Sequence, residues 1–186
     1  MIKERFLFYF LKFPNFILCR IRNIIYNLAF STKGLKIGKN VSFSNTKNIL
    51  ICNNVYIGNN CWIDSINNGV IHIGNNVSLS QNTHIGSIYK VIIGDGCLIG
   101  SDVLITDHNH SFSNATLHII PKARPLDIKG QTVLGNNVWL GDNVKVLSGV
   151  TLGENVIVAA NSVVTKSFPC NVVLAGVPAK IIKYIN

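Results

Sequence analysis

Nine six-residue units of one kind constrain this chain more than any other feature. They begin at Ile37, Ile57, Ile73, Ile93, Ile99, Leu134, Leu140, Leu152 and Val158. Each opens on an aliphatic residue, continues with a small one and turn-forming residues, and has a small or β-branched residue fifth. A period of six is neither the 3.6 of an amphipathic helix nor the alternation of a hairpin. One large aliphatic side chain per unit can face a shared interior. The Gly and Asn beside it accept a tight corner, including left-handed backbone angles. The flanking β-branched residues pair as a short strand with the coil above and below. Three units make one triangular coil; Leu134 to Thr151 and Leu152 to Pro169 are each one such coil. Stacked coils bury a column of Ile, Leu and Val and pair their backbone groups between layers, the arrangement of a parallel β-helix.

Composition agrees with that reading. Charged residues are only 13% of the 186 and hydrophobic ones 48%. Asn, Ser, Thr and Gly must therefore cover the surface, as in a turn-rich β protein. The net charge of +9 attracts polyanions: nucleic acid, anionic lipid or phosphate-bearing small molecules. No zinc-finger spacing or aromatic-rich basic motif is present, so a nucleic-acid partner is not expected. The five cysteines form no Cys-x-x-Cys pair. Cys52, Cys61 and Cys97 fall within or beside repeat units as small apolar fillers. They read as reduced, which suits the cytoplasm.

The expected organisation has three parts. Residues 1–33 form a basic amphipathic helical segment, divided near Pro14 and Asn15. The six apolar residues at 6–11 are too few to span a bilayer, and no small-residue cleavage site follows them, so neither a membrane span nor a signal peptide is expected. A segment of this kind can lie on the anionic inner face of a membrane or pack on the scaffold. Residues 34–171 form the β-helix, with small corner insertions at 69–72 and 91–92. Residues 172–186 form a tail, helical or extended, on the last coil.

One long gap breaks the repeats, from about Thr106 to Thr132. It is polar, punctuated by Pro121 and Pro125, and basic at Lys122, Arg124 and Lys129. It opens on Thr106-Asp107-His108-Asn109-His110. A loop of this length inside a repetitive scaffold usually carries the function, because a rigid frame positions irregular residues. A histidine there is suited to general-base work, since a free imidazole, with a pKa of about 6.5, is largely neutral at working pH.

The repeats, the Thr106-Asp107-His108 stretch and Gly176-Val177-Pro178-Ala179-Lys180 resemble the left-handed parallel β-helix acyltransferases. The likeness is to the branch of galactoside, maltose and surface-polysaccharide O-acetyltransferases. It covers residues 37 to 183 and is most specific in Asn137-Val138-Trp139, Ala160, Val164-Thr165-Lys166 and Ala175-Gly176-Val177-Pro178. The left hand of the helix follows from the resemblance, as does a homotrimer with acetyl-CoA in a groove between neighbouring subunits. The implied reaction is direct acetyl transfer from acetyl-CoA to a sugar hydroxyl, without an acyl-enzyme and without a metal.

By position, the resemblance makes His108 the base. Asn82, His110 and Asp107 would line the acceptor pocket, with His110 projecting away from His108. Asp107 is a weak candidate for orienting His108, because neighbours in an extended loop point apart. Trp139, Gly141, Asp142, Ala160, Thr165, Lys166 and Lys180 would hold the cofactor. Gly141 and Ala160 would leave room for the pantetheine arm, and the two lysines would pair with phosphates. Asp142 stands where some relatives carry Ser, a carboxylate in place of a hydroxyl. His72, His84 and His118 read as structural.

Three other readings compete. N-acetylation of a nucleotide-linked amino sugar is the nearest, although residues 1–36 are too short for the extra domain that branch usually carries. A zinc hydrolyase resembling the γ-class carbonic anhydrases needs a wider histidine spacing than His108 and His110 offer. An inert binding scaffold gains nothing from the long loop.

Overall fold

The computed structural model describes residues 17–185, an all-β left-handed parallel β-helix preceded by one helix. The expected division at Pro14 and Asn15 lies outside the described residues.

Three parallel sheets form the sides of a triangular prism. The first face runs Lys36–Ile37, Tyr56–Ile57, Ser78–Leu79, Leu98–Ile99, Trp139–Leu140, Ile157–Val158 and Val172–Gly176. The second is Ser42–Ser44, Trp62–Ser65, His84–Ser87, Leu104–Thr106, Lys145–Val146 and Val163–Val164. The third is Ile49–Ile51, Val70–Ile73, Lys90–Ile93, Thr132–Leu134 and Thr151–Leu152. Residues pair with their equivalents one coil on, as in Ile57 with Leu79 and Ile85 with Ile105. The first residue of each six points inward. Ile57, Ile73, Ile93, Ile99, Leu134, Leu140 and Leu152 have no measurable exposure and stack in one aliphatic column.

Corners decide the coil length. The turns from first to second face and from third to first face are short and repeat. Each holds one residue in the left-handed region, such as Asn60 (φ 56°) or Asn137 (φ 56°). Asn is favoured there because its short polar side chain tolerates that backbone and bonds locally. The third corner varies in length. It takes a 3-10 turn at Thr46–Asn48, a turn at 66–69, only two residues at 88–89, and the whole loop at 107–131. The extra residues expected at 69–72 and 91–92 are thus relocated. Val70–Ile73 and Lys90–Ile93 are regular four-residue strands, and the added length of the earlier coil sits in the 66–69 turn just before its strand. At the C-terminal end the chain is extended. Val172–Gly176 stacks on Ile157–Val158, and the strand Ala179–Tyr184 folds back antiparallel on it.

The helix at 17–29 inverts the rule of the coils. Its inward side is partly polar, because the first coil has an open strand edge whose backbone groups need partners. Asn27 both donates to the Leu35 carbonyl (2.8 Å) and accepts from the Leu35 N–H (3.0 Å). Asn23 accepts from the Ile37 N–H (3.0 Å), and Arg22 donates to the Ile37 carbonyl (2.5 Å). Two amide side chains and a guanidinium thus stand in for a missing strand. Tyr26 and Phe30 pack on Phe43 beside them. Leu18, Ile21, Ile24, Ile25 and Leu28 face outward, Leu28 with 75% of its surface exposed.

Candidate active site

The loop leaves the prism at the third corner, after Leu104–Thr106. It runs out as His108–His110 and returns as Leu126–Ile128, paired antiparallel. Two 3-10 turns, Asn114–Thr116 and Pro121–Ala123, shape its tip. Arg124 closes that tip by donating from Nε to the Ile119 carbonyl (2.9 Å).

Asp107 is the hinge of this departure, and it is completely buried. Its Oδ2 accepts from the Ser87 hydroxyl (2.7 Å) and the Tyr89 N–H (2.9 Å). Its Oδ1 accepts from the Ile88 N–H (3.0 Å) and from His108 Nδ1 (3.0 Å). Ser148, one coil on, donates to its backbone carbonyl (2.5 Å). Burial alone would raise its carboxyl; the bonds from His108, the Ile88 N–H, Ser87 and the Tyr89 N–H outweigh it and hold the pKa down at about 2. Asp107 is therefore an anion in a closed cage with no surface for an acceptor, contrary to the expectation that it lines the pocket. The chain bends at residue 107, so neighbouring side chains that would diverge in an extended strand meet. Asp107 orients His108 after all.

An ionised carboxylate can only accept, so the neutral imidazole of His108 carries its proton on Nδ1 and presents the lone pair on Nε2. Thr106 steadies the same ring edge, its Oγ1 standing 3.1 Å from Nδ1 and accepting from the His108 N–H (3.3 Å). Thr132, on the strand by which the loop returns, donates to the Thr106 carbonyl (2.9 Å). The imidazole is only 16% exposed, held at Nδ1 by the Asp107 carboxylate and the Thr106 hydroxyl. The arrangement can take a proton at one defined nitrogen.

The remaining expected residues fall into groups. Asn82 sits in a corner with φ 58°; its amide accepts from Asn60 (3.3 Å) and donates to Asp102 (2.9 Å), as corner asparagines elsewhere do. It also borders a groove of about 670 Å³ on the second face, shared with His84, Leu104 and Lys145. His110 is exposed and lies in the same strand as His108. Two residues apart in one strand, they share a face, where divergence was expected.

Trp139, Gly141, Asp142 and Ala160 line one groove of about 530 Å³ on the first face, floored by Leu98, Ile157 and Val158. An apolar floor with few polar groups suits an extended pantetheine-like arm. Gly141 has a different cause from the one expected. A Cβ on it would stand 2.7 Å from the Ala160 nitrogen, so the missing side chain makes room for the next coil. Asp142 spends one oxygen on the Ser101 N–H (2.7 Å). Thr165, Lys166 and Lys180 are exposed and are not among the residues that line this groove; Lys166 Nζ stands 5.6 Å from the Phe168 ring centre.

Sequence reasoning missed the polar groups that hold Asp107. Ser65, Ser87, Asp107 and Ser148 are all buried at the third corner, each a coil apart. The signal was there: a small polar residue recurs where the other corners place asparagine. His84, read as structural, lies near His108, and its ring stacks on Trp62 at 4.3 Å and 6°. Among the described residues no three His, Cys, Asp or Glu side chains converge as a metal set would. None of the five cysteines is paired.

Comparison with known proteins bears on the repeats and the fold. Residues 131–166 match the family model for the bacterial transferase hexapeptide (six repeats), and residues 90–105 that for the hexapeptide repeat of succinyl-transferase. The chain is 52% identical over 94 residues to a putative lipopolysaccharide biosynthesis O-acetyl transferase of Escherichia coli K12, covering 48% of this chain and 47% of that protein. The chain thus spans about half the length of that curated relative. A galactoside acetyltransferase solved in complex with coenzyme A is 32% identical, with a TM-score of 0.63 over 86% of this chain and 68% of that one. A point mutant of AntD, an N-acyltransferase from Bacillus cereus solved with dTDP and coenzyme A, is 26% identical, with a TM-score of 0.74 over 83% of this chain and 82% of that one.

Proposed function

Because the chain belongs to the hexapeptide-repeat β-solenoid acetyltransferases related to the galactoside and maltose enzymes, we propose that it transfers an acetyl group from acetyl-CoA to a nucleophile on a sugar. The observation that carries this is His108, whose Nδ1–H is bound to a buried carboxylate and whose Nε2 is left as the base.

In the proposed reaction the acceptor's oxygen or nitrogen attacks the thioester carbonyl as its proton passes to Nε2. The C–S bond then breaks, and the thiolate takes the proton back from Nε2, so no group stays on the protein. Asp107 remains ionised throughout and stabilises the imidazolium that forms in between. The first-face groove, with Trp139, Gly141, Asp142 and Ala160, would hold the pantetheine arm. Thr165, Lys166 and Lys180 would meet the nucleotide end, the lysines as point charges on phosphate.

Two acceptors follow from two observations. The 52% match to the lipopolysaccharide O-acetyl transferase favours a hydroxyl of a surface polysaccharide or its glycolipid precursor. The likeness to AntD, which runs over most of both chains, favours the amine of a nucleotide-linked amino sugar. Thiol release from acetyl-CoA, measured with a methyl galactoside and with dTDP-4-amino-4,6-dideoxyglucose, separates them. Replacing His108 by Ala should lower turnover with the better acceptor by about 10²–10⁴-fold; turnover near wild type would remove the proposed base.

The assembly is proposed to be a homotrimer working at the cytoplasmic face of a membrane. Phe112, Leu117 and Ile120 are exposed on the loop tip, as a subunit contact would require. A monomer by light scattering would contradict the trimer. The outward apolar face of the 17–29 helix and the net charge of +9 suit an anionic lipid surface. No helix among the described residues is long and apolar enough to cross a membrane. Failure to float with anionic vesicles at low salt would refute the lipid contact.

A further inference from the structure

Every glycine of this chain but one has a reason within the fold. Five have a positive φ, and nine others would bring a Cβ within 3.0 Å of an atom of a neighbouring coil. Gly86 has neither. Its φ is ordinary, and the atoms nearest to a Cβ there are His108 Cε1 at 3.4 Å and His84 Nε2 at 3.6 Å. Two imidazoles from adjacent coils therefore converge over one bare backbone position on the second face.

His84 is held by stacking. Trp62, on the coil below, lies flat against its ring and fixes the ring plane. No described residue accepts from or donates to its nitrogens, yet Nε2 stands over the same backbone position as the edge of the His108 ring. Burial lowers its pKa below the usual histidine value, against Asp64, which raises it, and with His108, which lowers it further. A neutral imidazole has one nitrogen that donates and one that accepts, so it suits an uncharged hydroxyl. The groove of about 670 Å³ that begins at His84 and runs to Lys145 gives room for the body of a ligand.

We propose that His84 and His108 form a paired seat for two adjacent polar groups of the acceptor ring, His108 taking the proton of the group acetylated and His84 hydrogen-bonding its vicinal hydroxyl. This rests on the reading of His108 as base and adds what that reading lacks, the acceptor feature recognised. Gly86 keeps the floor of the seat bare, and Trp62 holds His84 at the required angle. The acceptor class is a vicinal diol or vicinal amino alcohol.

The test uses the full-length protein, acetyl-CoA, and two matched acceptors: whichever of the methyl galactoside and the dTDP-linked amino sugar is active, and its deoxy analogue lacking the hydroxyl next to the acetylated position. His84→Phe keeps a ring to stack on Trp62 and removes both nitrogens. It should cut kcat/KM about 10–100-fold on the intact acceptor, leave the deoxy analogue within about twofold of wild type, and leave the KM for acetyl-CoA unchanged. His84→Gln, which retains a donor and an acceptor, should recover part of the loss. An equal loss on both acceptors, or none on either, overturns the seat while the His108 requirement stands. If His108→Ala is itself active, the base fails and the seat falls with it.

Discussion

Two corners of the prism and the third use the same kind of residue to opposite ends. At the first two, short polar side chains serve the coil. Asn40 bonds Asn60 and Asn60 bonds Asn82 at one, and Asn54 bonds Asn76 at the other, each from a left-handed turn to its equivalent one coil on. At the third, Ser87 and Ser148 turn their hydroxyls onto one residue, Asp107, and the chain leaves the prism there. The first arrangement repeats because each coil needs it. The second occurs once, and a repeat that tolerates variable length at one corner can place a reactive group there without disturbing its column. The helix at 17–29 makes a related point: it serves the open end of the stack by presenting asparagines where a further coil would present backbone.

The largest effect should come from unbalancing the third corner. Asp107→Asn preserves the shape but can donate as well as accept, so Nδ1 of His108 no longer has an obligatory partner. Turnover should fall by about 10²–10⁴-fold, with acetyl-CoA binding by calorimetry little changed. The same variant carries a pH signature. The Asp107 carboxyl sits at about 2 in the fold, below the ordinary Asp value of about 3.9. A depressed pKa contributes stability that is fully present above that ordinary value and is lost as pH falls towards 2. Wild-type denaturation midpoints should therefore drop faster than those of Asp107→Asn between about pH 4 and pH 2. Parallel curves would mean that the cage does not hold an anion.

Much of this was legible in the sequence, and what was not has a common cause. The inward column and the asparagine corners follow from spacing alone, since a hexad fixes which residue faces in. Asp107 did not follow, because its partners Ser87 and Ser148 lie 20 and 41 residues away. Only the stacking register brings them together. Gly141 was read for its ligand when its neighbour is Ala160 of the next coil. The amphipathic character of the 17–29 helix is legible too, but not the polar pairing of Asn27 and Asn23 with the first coil, 8 and 14 residues on. His84 looked structural because nothing local marks it; Trp62 and His108 reach it from the coils on either side.

Intermediate effects should separate corner residues from site residues. Asn82 lines the second-face groove but holds φ 58° and two ladder bonds. Asn82→Ala should lower stability by about 1–2 kcal/mol, from the left-handed backbone and the lost bonds. Asn82→Gly should recover the backbone part of that. If Asn82→Gly restores stability and kcat/KM together, Asn82 belongs to the corner. If stability returns and the acceptor KM does not, its amide also binds substrate.

The smallest effect is the most diagnostic, because it compares two glycines by what surrounds them. A Cβ on Gly58 would stand 2.6 Å from the Gln81 nitrogen and the Ser80 carbonyl carbon, both backbone atoms of the next coil. Neither can move without opening the stack, so Gly58→Ala should cost about 1–3 kcal/mol or more. A Cβ on Gly86 would meet the two imidazoles and, further off, the Thr106 hydroxyl, all at ordinary contact distance. The ordinary φ also means that alanine narrows the unfolded ensemble, which favours folding by about 0.4–1 kcal/mol. Gly86→Ala should therefore unfold within about 1 kcal/mol of wild type, on either side of it. Its kcat/KM for the acceptor should fall all the same, because a methyl group then occupies the floor between the two imidazoles. A Gly86→Ala protein that is as unstable as Gly58→Ala would make Gly86 one more stacking residue. One that is stable and fully active would leave the bare position without a role.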